Sequence, residues 1–159
     1  QIMSPFKNSN EKSADSTMTT LGTQSRLEEG HYVHNFSINP RNIEEDVSRV
    51  EGQGLSEEDI TKLKEGLRRG ASFYDSAAKA GTENELLLWI QLKEGAKIVL
   101  PSLVDLVEID ENKVIHLDKV NKLLSESHIK DEVEKVEIYY SDAHTKVKNI
   151  PENAKKLQL

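Results

Sequence analysis

The order of elements along the chain predicts an α+β fold, a helix layer packed on a mostly antiparallel sheet, and three observations carry that prediction. A period-two alternation at His31–Asn39 reads as a strand. Ile60, Leu63 and Leu67 recur at helical spacing. The apolar run "NELLLWIQLKEG", Asn84–Gly95, has the length and flanks of a buried central strand. Continued to the C-terminus, the order is strand, helix, strand, strand, helix, strand.

The bounds agree with this class. A chain of 159 residues fits one domain, 1–159, with enough length to bury a core. Its 31% charged and 36% hydrophobic residues describe a polar protein, and no apolar run reaches the roughly 20 residues of a membrane span. We therefore expect no membrane association. Zero Cys excludes disulfides and thiolate metal sites and is compatible with the reducing cytoplasm, the expected location. The opening "QIMSPFK" carries no signal-peptide pattern, and its strand-like start reads as a fragment of a larger chain.

Residues 4–25 are rich in Ser, Thr, Asn and Lys and cannot repay their ordering entropy by burial, so a mobile loop is expected there. In the strand that follows, Tyr32, His34, Phe36 and Ile38 share one face, and Val33, Asn35 and Ser37 the other. Asn39-Pro40 ends it, because Pro removes a ladder donor. Ile43, Val47 and Val50 make a short helical turn before "EGQGL". Ser56-Glu57-Glu58-Asp59 is a helix start, with Ser56 as cap and the acids at the positive end of the helix. That helix is expected over Ser56–Arg69, with Gly70 ending or loosening it. Ile60, Leu63, Leu67, Leu87 and Trp89 are expected in the core. A strand at Leu103–Ile109, a helix at Leu117–Ser125 and a strand at Val133–Tyr140 follow. Residues 145–159 read as a polar C-terminal tail.

The chemistry is mostly subtractive. His31 and His34 are three apart, which on a strand puts them on opposite faces, and His116, His128 and His144 lie in separate elements. No metal site and no cofactor is expected. Carboxylate pairs such as Asp105 and Glu108, or Glu57 and Glu58, are unavoidable among 28 acids and read as solvated surface. No nucleophile elbow, P-loop or dinucleotide fingerprint appears, so no catalytic residues are assigned and no enzyme is expected. A net charge of −7 repels phosphate overall, and residues 1–27 sum to only +1 (Lys7, Lys12 and Arg26 against Glu11 and Asp15). "FYDSAAKAGT", Phe73–Thr82, admits two readings. Its small residues let a sugar–phosphate backbone approach Lys79 closely, or they pack a helix end that Gly81 terminates.

Three motifs in order then point to a family. "TTLGTQSRLEEGHYVHNFSINP", followed by "GLSEEDITKLKEGLRRGASFYDSAAKAG" and an apolar strand, resembles the DevR-type branch of the Cas-seven family. These are the crRNA-binding backbone subunits of type I CRISPR Cascade complexes. The likeness spans about residues 17–95. Gln24 and Ser25 stand where a basic residue is usual after "LGT", with Arg26 next, and Lys79 stands where the family-like segment carries Arg.

The resemblance implies a modified RRM-like, ferredoxin-like domain in which Lys7–Arg26 form much of a thumb-like loop. It implies binding of crRNA without regard to sequence, assembly with other copies in a filament-like backbone and with other Cascade subunits, and contact with target DNA. The RNA-binding residues so implied are Lys79, then Arg26, Lys7 and Lys12, with Ser76 and Gln24 as hydrogen-bond donors. The alternative class is a protein-interaction domain, an immunity or adaptor module, with the same fold and no RNA.

Overall fold

A computed structural model describes residues 29–73 and 81–159. The chain divides into two units, residues 1–32 and 33–159, and the architecture below belongs to the second. Its helices are α1 (Glu44–Arg49), α2 (Glu57–Phe73), α3 (Asp118–Ser125) and α4 (Ser127–Lys130). Its strands are β1 (Leu86–Leu92), β2 (Glu108–Ile109), β3 (Val114–His116), β4 (Val133–Tyr140), β5 (Lys146–Lys148) and β6 (Ala154–Leu157). The α+β class holds.

The strands form two three-stranded sheets, in the orders β1-β4-β6 and β2-β3-β5. β1 pairs antiparallel with β4 and β2 with β3, whereas β6 runs parallel to β4 and β5 parallel to β3. The expected single, mostly antiparallel sheet is thus two mixed sheets. Helices also cover both faces of the larger sheet rather than one. On one face Leu86, Leu88, Ile90 and Leu92 of β1 join Val136, Ile138 and Tyr140 of β4 against Val120 and Leu124 of α3 and Ile129 of α4. On the other, Leu87, Trp89 and Tyr139 pack against Ile60 and Leu67 of α2. The register puts Leu87 opposite Tyr139 and Trp89 opposite Glu137, so alternation alone assigns each residue to its layer.

Ser56 starts α2, in agreement with the sequence pattern. Its Oγ accepts from the Asp59 N–H at 3.2 Å, and Asp59 Oδ2 accepts from the Ser56 N–H at 2.9 Å, a reciprocal capping box. The helix continues through Gly70 to Phe73, four residues past the expected end. A Cβ at Gly66 or Gly70 would meet nothing within 4 Å, so both glycines sit on an open face where they weaken the helix without breaking it.

The face α2 turns to the sheet differs by one residue from expectation. Ile60, Lys64, Leu67, Arg68 and Ala71 are half-buried, while Leu63 is 39% exposed. Leu87 and Trp89 are buried as expected. Lys64 takes the inward position because Nζ lies 2.5 Å from Glu137 Oε2 and 4.5 Å from the centre of the Trp89 ring. Arg68 stacks one turn later on Tyr139, at 4.8 Å, and donates to the Gln158 carbonyl at 2.6 Å.

Three further expectations change. Residues 29–39 form no strand. Their alternation is used for packing instead: Ile38 joins the Leu87–Trp89–Tyr139 cluster, Phe36 lies 5.8 Å from the Trp89 ring, and Asn35 Oδ1 accepts from the Leu103 N–H at 3.1 Å. At Leu103–Ile109 a 3-10 turn, Val104–Leu106, precedes a two-residue strand. Residues 145–159, expected as a polar tail, contain β5 and β6, and Thr145 and Pro151 are buried there. β6 lies against the centre of the larger sheet.

The packing of α2 is testable at two positions. Gly66→Ala is expected to raise stability by about 1 kcal/mol, measured as a higher urea midpoint at unchanged m-value. The second position is Glu137. Burial raises its pKa, but hydrogen bonds from Lys64 and Tyr139 outweigh that and leave it below the ordinary carboxylate range. A depressed folded pKa gives stability that is present above the unfolded value and lost as pH falls through the folded one. Glu137→Gln should therefore lower stability at pH 7 by about 2 kcal/mol. The loss should shrink toward pH 3 in parallel urea titrations.

Candidate RNA-binding surface

α2 and β1 are the two rails that lead to the segment carrying Lys79. The helix is described as far as Phe73 and the chain again from Gly81, whose φ of 81° suits a residue without a Cβ. Asn84 ties the rails together. Its Nδ2 donates to the Leu67 carbonyl within α2, and its backbone N–H donates to Ser72 Oγ at 3.4 Å. One contact adds a second donor to a carbonyl inside the helix and the other engages a side-chain hydroxyl near its described end, so Asn84 holds α2 at two points. They also tie the described end of α2 to the residues just before β1.

Lys79 and Ser76 lie outside the described residues, as do Lys7, Lys12, Gln24 and Arg26. The geometry therefore bears on the frame that carries two of them, not on the residues themselves. That frame is held by the paired cation–aromatic seam under α2, where Lys64 and Arg68 are fixed one turn apart. Tyr139 strengthens the seam by donating to Glu137 Oε2 at 3.0 Å; burial, then Glu137, push the phenol's pKa up.

The histidines are placed as follows. His31 Nε2 is 3.4 Å from Glu29, and His128 Nε2 is 3.7 Å from Glu126. His116 is the most engaged: Nε2 lies 2.9 Å from Asp110 Oδ2 and Nδ1 3.8 Å from Asp118 Oδ2. Among the described residues no three His, Asp or Glu gather as metal ligands. Asp110 also caps its own hairpin turn, accepting from the Asn112 and Val114 N–H groups at 2.9 Å each. The His116 hydrogen bond first, then the Val114 N–H, hold its carboxyl below the usual range. Sequence reasoning misses this pair, although "IDENKVIH" contains its signal, a turn-forming Asp followed by a short alternating strand.

Comparison with known proteins places the chain. A family model described as CRISPR-associated protein Cas7 matches residues 1–141. The chain belongs to the Cas7 family. The match runs well past residues 17–95, where the motifs lie, and takes in β1 through β4. No curated protein and no solved structure matches the chain.

Membership in the Cas7 family implies a CRISPR-associated function, and with it association with crRNA and other subunits of the complex. No helix among the described residues is long and apolar enough to cross a membrane.

The Asn84 tie is testable on its own. Asn84→Ala is expected to cost about 1 kcal/mol in stability. It should also speed amide exchange at the last turn of α2 while leaving β4 protected, measured by hydrogen exchange with mass spectrometry.

Proposed function

We propose that this protein is a non-catalytic backbone subunit of a Cascade-type interference complex, holding guide RNA through contacts that do not depend on sequence. The Cas7 match over residues 1–141 carries this reading. In it, the subunit lies beside other copies of itself along the guide, joined by other Cascade subunits, and the guide pairs with target DNA.

The physical logic is that of a backbone reader. A subunit that must accept any guide gains nothing from base-edge contacts, so phosphate contacts dominate. Lys79 is the first candidate, since Ala77, Ala78, Ala80 and Gly81 around it leave room for a sugar–phosphate backbone. Lys serves here as a point charge rather than a bidentate fork, which suits contacts indifferent to sequence. Arg26, Lys7 and Lys12 add charge on the proposed thumb, with Ser76 and Gln24 as donors. Contacts of this kind let a chain of net charge −7 bind a polyanion through local groups.

The test is binding of the full chain to two unrelated guide RNAs at two salt concentrations. Lys79→Glu should weaken both guides by a similar factor, and the loss should shrink as salt rises, because counterion release drives the contact. Unchanged affinity for both guides would remove Lys79 from the interface. A wild-type chain that binds neither guide would favour a protein-interaction module.

A further inference from the structure

Charge along this chain is segregated. Residues 143–159 carry four lysines against Glu152, a sum of +3, so residues 1–142 hold 17 basic and 27 acidic groups, a sum of −10. The basic stretch begins beyond the end of the family match at residue 141. It is also folded: among the described residues β5 is an edge strand of the smaller sheet and β6 an edge strand of the larger.

The lysines of the two strands differ in freedom. On β6, Lys156 is held by Asp142 and lies 4.4 Å from the Tyr140 ring centre, and Lys155 stands beside Glu137 in the register. On β5, Lys146 and Lys148 are both exposed, while Val147 between them turns inward onto the core. Neither is ion-paired among the described residues. They are two residues apart, so they share one face, roughly 6.6 Å from each other along the strand. Lys148 lies beside His116 and Lys146 beside Val114. Glu108 stands across β3 on β2 and is engaged by Lys119, Asp110 is held by His116, and Asp118 lies close by, accepting from Asn149 Nδ2 just after Lys148.

We infer that Lys146 and Lys148 on β5 form a second contact for the phosphate backbone of single-stranded RNA. This rests on the RNA-binding reading above. Two ammonium groups without an ion pair among the described residues can each take a separate phosphate, while Glu108 on β2 and Asp118 beside Asn149 keep a polyanion from spreading over β2 or past the Lys148 end. The competing explanation is that the lysines only guard an edge strand against pairing with another chain. Glutamates guard an edge equally well, so charge reversal separates the two.

The experiment compares the full chain with Lys146→Glu/Lys148→Glu and with Lys122→Glu/Lys130→Glu. The second variant changes two exposed lysines of α3 and α4 and shifts net charge by the same amount. Affinity for a single-stranded RNA is measured across a salt series, alongside urea midpoints. The β5 variant is expected to lose affinity at low salt and to lower the log–log salt slope by about 1.4, at roughly 0.7 per phosphate contact. The control should keep the wild-type slope. An unchanged slope in the β5 variant, or equal losses in both, overturns the inference while leaving the RNA-binding reading in place. A wild-type chain that binds no RNA overturns both. If the glutamates prevent folding, Lys146→Gln/Lys148→Gln removes the same two contacts and is held to the same slope change.

Discussion

A carboxylate in the middle of a covered sheet face has to be answered by a cation, and that requirement decides how α2 lies. Glu137 stands on β4, between Val136 and Ile138, in a strand flanked on both edges. Its side chain is 15% exposed and that of Lys64 13%. A charge so placed is tolerated only when paired and further hydrogen-bonded, and Lys64 and Tyr139 supply both. Once Lys64 points inward, the helical period brings Ile60, Leu67, Arg68 and Ala71 with it and turns Leu63 outward. Arg68 then reaches Tyr139 and the Gln158 carbonyl, and the Leu67 carbonyl falls where Asn84 can fasten the helix. The frame that flanks the Lys79 segment thus descends from one half-buried ion pair.

The parts legible in the sequence are those whose signal is local. β1, β4, α3 and the capped start of α2 all stand out as apolar runs, periods or caps. The inward face of α2 does not, because its arbiter, Glu137, is 73 residues away from Lys64. Hydrophobic counting prefers Leu63, and only the tertiary partner makes Lys64 the better choice. His31–Asn39 fails for the reverse reason. Alternation describes which way side chains point along an extended backbone, and it does not supply a neighbouring strand. β5 and β6 are three and four residues long and rich in Lys, and what makes them strands is parallel pairing to β3 and β4.

For the site, the sequence carries the family through three ordered motifs, and the family model extends that over most of the chain. It also points to Lys79, through small residues around a single charge. It has no means of pointing to Asn84, whose contacts depend on where α2 ends, or to the Asp110–His116 pair, which needs the hairpin turn to bring six residues back on themselves.

The pairing of β6 with β4 bears on how the protein is made. β4 is the middle strand of the larger sheet, and one of its two neighbours comes from residues 154–157. Until β6 has been made, β1 and β4 can pair across the 40 residues between them, but the far edge of β4 stays open. At about 5–20 residues per second, the roughly 15 residues after β4 take on the order of a second to appear. Through that interval an apolar strand with unpaired backbone groups faces solvent or a neighbouring nascent chain. The lysines of β6, which follows β1 and β4 in the chain, close that edge with a charged one.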